Sequence, residues 1–173
     1  MRRTGIDLSP ARCTIVDAST TSRWRKHGER SSLRVHNFAE LGRADNAQAL
    51  TAELKLLADS RAFSRHVWVT LWDVRSSHQY VQLPAGRKKE IEEIARQHGA
   101  SVLGLEAGDI SIGVAQEAAS KSGAHQNLEF SFFAAASDDL RDKLRPIQDA
   151  GFVVEGVVTP CGALWAQARL RRS

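Results

Sequence analysis

The order of elements in the first 74 residues leaves few folds open. Gly5–Leu8 and Arg12–Asp17 read as two short strands. Ser9-Pro10 joins them in a tight turn, because proline pre-sets its φ angle and cannot donate to a sheet. Residues 19–32 are polar and basic, contain Gly28, and read as a loop. Leu33–Phe38 alternates Leu, Val and Phe with Arg, His and Asn, the pattern of a half-buried strand. Three antiparallel strands in a row make a meander. Asn46 then suits a helix N-cap, with Ala49, Leu50, Leu54, Leu57 and Ala58 following at helical spacing. His66–Val74, HVWVTLWDV, reads as a strand. Its Val67, Val69 and Leu71 share one face and Trp68, Thr70 and Trp72 the other. Apolar residues on both faces predict a central strand.

A second block follows. His78–Leu83 reads as a strand that stops at Pro84. Lys88–His98 reads as a helix buried through Ile91, Ile94 and Ala95, with Gly99 as its left-handed terminator. Asp109–Gln116 and Leu128–Ala136 read as strands joined through a polar hairpin loop, 117–126. Ser137 or Asp138 caps the next helix, which carries Leu140, Leu144 and Ile147 inward and ends at Gly151. Pro146 inside it removes a hydrogen bond and predicts a kink. Phe152–Val158 is a strand, and Cys161–Leu170 a final helix. The pattern is mixed α/β with a largely mixed sheet.

The chain has 173 residues, 42% hydrophobic and 25% charged, which suits a soluble globular protein with a real core. No apolar run follows Met1-Arg2-Arg3, so no signal peptide is expected, and no stretch approaches a membrane helix. A cytoplasmic location follows as the default. The net charge is +4, with arginine concentrated between Arg23 and Arg34 and in the tail at Arg169, Arg171 and Arg172. Clustered arginine suits a solvated hairpin loop, and it also suits nucleic acid or an anionic membrane. A nucleic-acid module would use Arg23, Arg25, Lys26 and Arg30. It would want aromatic groups beside them, and Trp24 is the only one near. No helix-turn-helix or zinc pattern is present.

Candidate chemistry is sparse. Cys13 follows Arg12, which favours a thiolate, but no base lies near it in sequence. Cys161 stands at a helix start, where a small buried apolar side chain is the commoner role. The histidines His27, His36, His66, His78, His98 and His125 form no ligand spacing, so no metal is expected. Asp138-Asp139 and Glu92-Glu93 are adjacent pairs that face different ways on a helix. GVVTPCGAL has glycines near a helix start but neither a Walker lysine nor GxGxxG spacing.

Three stretches carry a resemblance: GIDLSPARCTIVDAS, FSRHVWVTLWDVRSSHQYVQLP, and FSFFAAASDDLRDKLRPIQDAGFVVEGVVTPCGALWAQA. Taken in this order, the chain resembles the N-terminal half of the PilM-type, actin-like proteins of type IV pilus assembly. The cytoplasmic parts of type II secretion platforms (GspL) and the cell-division protein FtsA are similar at greater distance. The resemblance covers nearly the whole chain by order of elements. It implies a ribonuclease-H-like, actin-like lobe, residues 1–76 plus 152–173, with an inserted small α+β subdomain, residues 77–151. It also implies a cytoplasmic adaptor that holds the short tail of an inner-membrane assembly protein. Some members bind ATP.

The family's opening hairpin holds phosphate, and here Asp7 and Ser9 stand at its phosphate-loop positions. The loop departs from the family's pattern. Ser9 stands in place of glycine, Pro10 in place of a hydroxyl residue, and Thr14 in place of lysine. A phosphate cradle points backbone N–H groups at the anion, and Pro10 has none. The expectation is a non-catalytic scaffold with no bound ATP or magnesium. Its partner surface lies on Ile110, Ile112, Val114, Phe130 and Phe132 of the second block, where an extended peptide adds to a sheet edge or fills a groove. Self-association is compatible with such an edge. The rivals are an actin-like ATP binder using Asp7, and a basic nucleic-acid module.

Overall fold

The computed structural model describes residues 2–25, 28–42, 46–120 and 127–160; of Arg2 and residues 20–32, 117–120 and 127 it describes the backbone alone. The final helix expected over Cys161–Leu170, the tail arginines and residues 121–126 lie outside the described residues, as do Lys26, His27 and His125. The chain divides into two compact units, residues 1–73 with 143–173, and residues 74–142. The borders expected from the sequence were 76/77 and 151/152.

Unit 1 opens with β1 (Arg2–Leu8), β2 (Cys13–Arg25) and β3 (Gly28–Leu41). They pair antiparallel in the expected meander. Helix α1 (Ala47–Asp59) follows, and Asn46 caps it by accepting from the Ala49 amide at 3.1 Å. Strand β4 (His66–Leu71) then lies parallel to β1. The last described strand of the unit, β8 (Val153–Val158), lies parallel to β4. The sheet order is β3-β2-β1-β4-β8, so β4 is interior, as its two apolar faces predict. Ile6, Leu8, Cys13, Ile15, Val67, Val69 and Leu71 are buried on one face of this sheet. Leu50, Leu54 and Ala58 are the buried stripe of α1. Two polar groups are buried with them, Thr4 and Asp17, with Thr4 Oγ1 3.5 Å from Asp17 Oδ1.

Two expectations for this unit need correction. Residues 19–25 and 28–32, expected as part of a loop, form strand. Ser19 pairs with Arg34, and the ladder continues to Arg25 opposite Gly28. The polar composition hid a strand, because a hairpin ribbon needs no buried face to satisfy its backbone. The second correction concerns Leu33–Phe38. It lies within β3, but its apolar residues face outward: Leu33 is 69%, Val35 53% and Phe38 61% exposed. A bulge at Asp17/Ala18 adds His36 to β3 and keeps Val35 and Leu33 on the outer side with Phe38. Trp68 of β4 shares that outer face and lies over Gly156 of β8. A Cβ on Gly156 would stand 2.5 Å from the Trp68 ring.

Unit 2 holds β5 (Ser76–Pro84), α2 (Lys88–Leu103), β6 (Ile110–Ser120) and β7 (Asn127–Ala136). The sheet order is β5-β7-β6, all antiparallel, and α2 covers one face. Helix α3 (Ser137–Asp149) begins in this unit and ends in unit 1, where Gly151 with φ 88° closes it. Pro146 is buried in its interior beside Ile147. Arg75 secures the start of the unit by donating its Nε and its backbone amide to Asp139.

Helix α2 passes the expected stop. Gly99 is not its terminator; Gly104, with φ 64°, is. Gly99 serves packing instead. A Cβ there would overlap the Cβ of Ala134 on β7, so only glycine lets the helix lie this close to the sheet. Gly99→Val should lower the melting temperature by several degrees, since overpacking costs about 1–3 kcal/mol. Gly108→Ala should leave it unchanged, because nothing lies within 4 Å of a Cβ there. Thermal unfolding followed by circular dichroism tests the pair.

Candidate functional site

Asp7 and Ser9, the two residues expected at phosphate-loop positions, both make contacts within the protein. Asp7 Oδ1 accepts a 2.7 Å hydrogen bond from Trp72 Nε1. This bond follows from the sheet register. Asp7 sits opposite Thr70 on the outer face, and Trp72 comes two residues later, just past the end of β4. Ser9 closes the turn on itself. Its amide donates to the Arg12 carbonyl at 3.1 Å, and its hydroxyl donates to the same carbonyl at 3.0 Å. The Arg12 amide donates back to Ser9 Oγ at 3.2 Å. The Arg12 guanidinium reaches Glu40 at 3.4 Å. The amides of Ser9 and Arg12 point into the turn, and Pro10 has no N–H to offer an anion.

Cys13, at the start of β2, is fully buried. Burial pushes its thiol up to about 12, and the carboxylates of Asp7 and Glu53 add to the rise. A thiol so protonated is no nucleophile near neutrality. Arg12 pairs with Glu40 and does not lower it. Cys161 lies outside the described residues. Among the described residues, no cluster of histidine, cysteine, aspartate or glutamate has the geometry to hold a metal ion. His66 pairs with Glu155, His36 with Ser19, and His78 stacks on Phe133 at 4.3 Å. Burial pushes the His78 pKa down.

Unit 2 carries the open site. The Gly99 end of α2 sits close on Ala134 and Ile110. At the other end Ile91 meets Phe130 and Phe132. A cavity of about 310 Å³ lies toward the helix N-terminus, lined by Gly86, Lys88, Ile91, Glu92, Val114, Gln116, Leu128 and Phe130. Its base is apolar. Lys88 and Glu92 form an exposed ion pair at the rim, 3.6 Å apart. One wall is β6, an edge strand.

The structure separates the five expected partner residues. Ile110 and Phe132 are buried, in two different core clusters. Ile112 is partly buried and touches both clusters. Val114 and Phe130 line the cavity, Phe130 as part of its base. Sequence reasoning missed Ile91, Leu128 and Gln116 as lining residues, and missed Trp72 altogether. The parity of β6 held part of the signal. Ile110, Ile112, Val114 and Gln116 share one face, and burial falls steadily along it toward Gln116.

Solved structures share the fold. The chain is similar to a chain of the PilM-PilN type IV pilus biogenesis complex, at TM-score 0.71 and 20% identity, over 98% of this chain and 51% of that one. The fold is that of a PilM-type, actin-like lobe. A second likeness is to the cytoplasmic domain of EpsL, an inner membrane component of the type II secretion system of Vibrio cholerae. There the TM-score is 0.58 and the identity 17%, over 92% of this chain and 57% of that one. The chain thus spans little more than half the length of the chains it matches. No family model matches it, and no curated protein does. Among the described residues, no helix is long and apolar enough to cross a membrane.

The state of Cys13 has a direct readout. In a Cys161→Ser background, the folded protein should react with a disulfide reagent at pH 8 at least a hundred-fold more slowly than the unfolded chain. Stability should fall as pH rises above 9, because the unfolded thiol ionises there and the folded one keeps its proton.

Proposed function

We propose that this chain is a non-catalytic adaptor for a protein partner in pilus-assembly or secretion machinery. The Trp72–Asp7 hydrogen bond carries the proposal. In an actin-like lobe the carboxylate of the first strand is the group that would meet nucleotide-bound magnesium, and here an indole holds it. The Ser9–Arg12 turn supports the same reading, since its amides are directed inward. ATP binding would have to break these bonds, with no lysine or glycine to replace them.

The cavity on unit 2 is the partner site in this reading. Its apolar base suits one or two apolar side chains of an extended segment, and the free edge of β6 offers main-chain hydrogen bonds beside it. One solved neighbour is a complex of PilM with PilN, and the other is an inner membrane component. By analogy, the segment is the short cytoplasmic tail of an inner-membrane assembly protein. The adaptor would then work on the cytoplasmic side of that membrane.

Two measurements test this. Titration calorimetry with Mg-ATP should show no binding tighter than about 100 μM. Phosphate release that disappears in Asp7→Ala would overturn the non-catalytic reading. Tail peptides from inner-membrane proteins encoded beside this chain should bind. Val114→Glu should weaken that binding at least ten-fold, about 1.4 kcal/mol, with the melting temperature unchanged. Binding that Val114→Glu leaves intact would remove the cavity from the proposal.

A further inference from the structure

The hairpin of β2 and β3 runs on past the rest of its sheet. β1 pairs with β2 only as far as Ser19, while the β2–β3 ladder continues to Arg25 opposite Gly28. Residues 20–25 and 28–33 thus form a two-stranded ribbon beyond the sheet. Register sorts its residues into two sets. One set contains Thr21, Arg23 and Arg25 of β2 and Gly28, Arg30 and Ser32 of β3. The next row of that face is Arg2, Ser19 and Arg34, in line across three strands. Arg34 is exposed there. The other set contains Thr20, Ser22 and Trp24 with Glu29, Ser31 and Leu33, and continues to the exposed Val35 and Phe38.

The ribbon is therefore two-faced. Arg2, Arg23, Arg25, Arg30 and Arg34 fall on one face, with serine, threonine and glycine as their only ribbon neighbours. Glu29, the one acid of the ribbon, falls on the other. Asp17, at the root of the arginine face, is buried against Thr4. Arg23 stands directly opposite Arg30. A like-charged cross-strand pair is destabilising unless an anion screens it. Rows lie about 7 Å apart, so the arginines span about 20 Å, too far for one small anion.

We infer that this arginine face docks on an anionic lipid surface. The partner must be extended and negative. Register places the arginines on one side of a strip about 20 Å long, and lipid headgroups form an anionic surface of that extent or more. Nucleic acid fits less well. Trp24, the ribbon's aromatic residue, falls in the opposite set by register, so the arginine face has no platform for stacking bases. The inference is independent of the cavity on unit 2, and its test contains no peptide.

The test is co-sedimentation of the full chain with vesicles of phosphatidylcholine alone, or with about a third phosphatidylglycerol. Binding to the mixed vesicles is expected, with none to the neutral ones, and it should collapse between roughly 0.1 and 0.5 M salt. Each arginine near such a surface is worth about 1 kcal/mol, about five-fold. Arg23→Gln/Arg25→Gln/Arg30→Gln should therefore weaken binding about a hundred-fold. The melting temperature should hold or rise, since the like-charged pair is gone. Lys89→Gln/Lys143→Gln, on α2 and α3, removes two exposed charges elsewhere and should change binding little. Equal binding to neutral vesicles would overturn the inference, as would no binding at all or an unaffected triple variant. Tighter binding to a 20-nucleotide single strand than to the mixed vesicles, at about 0.15 M salt, would overturn it in favour of nucleic acid.

Discussion

Parallel pairing of β1 with β4 requires a crossover, and α1 supplies it. The rest of unit 1 is arranged around that pair. It puts Ile6 beside Val69 and Leu8 beside Leu71 on the buried face. It also fixes which residues meet on the outer face, at the ends of both strands. Asp7 and Trp72 become neighbours there because β1 and β4 end at the same level. The Trp72–Asp7 hydrogen bond is a product of that register.

The hairpin turn between β1 and β2 closes on itself without a ligand. Pro10 has no N–H to offer an anion, and the amides of Ser9 and Arg12 are already bonded. The serine hydroxyl then satisfies the turn from within, accepting from one group and donating to another. Such a turn is stable without a ligand. A nucleotide would have to compete with bonds already made, and each made bond left unpaired costs about 1–3 kcal/mol.

Much of this architecture was legible in the residues. The 3.6-residue period of α1, the two apolar faces of β4 and the Asn46 cap each report a local rule that the tertiary structure obeys. Three features were not legible, for different reasons. The ribbon at 20–33 has a polar composition, so its strands are set by pairing with each other and not by a buried face. Leu33, Val35 and Phe38 look like core, yet the inner face at that edge takes Asn37 and Ala39 instead. Asn37 donates to the Ala62 carbonyl, a contact 25 residues away in sequence. Gly99 looks like a helix stop because glycine has two uses. Only the position of Ala134, from a distant strand, decides between them. The candidate partner residues meet the same limit. Alternation placed Ile110, Ile112 and Val114 on one face but could not say how far along it the helix reaches.

The wedge beneath α2 has a further consequence. Its narrow end is pinned by backbone-close contact at Gly99, and its wide end is propped by Ile91 on Phe130. The aperture is therefore graded along the helix, from closed at Gly99 to open at Lys88. A visitor enters at the helix N-terminus, past Gly86, and its reach inward is limited by how far its girth allows it to travel toward Ala134.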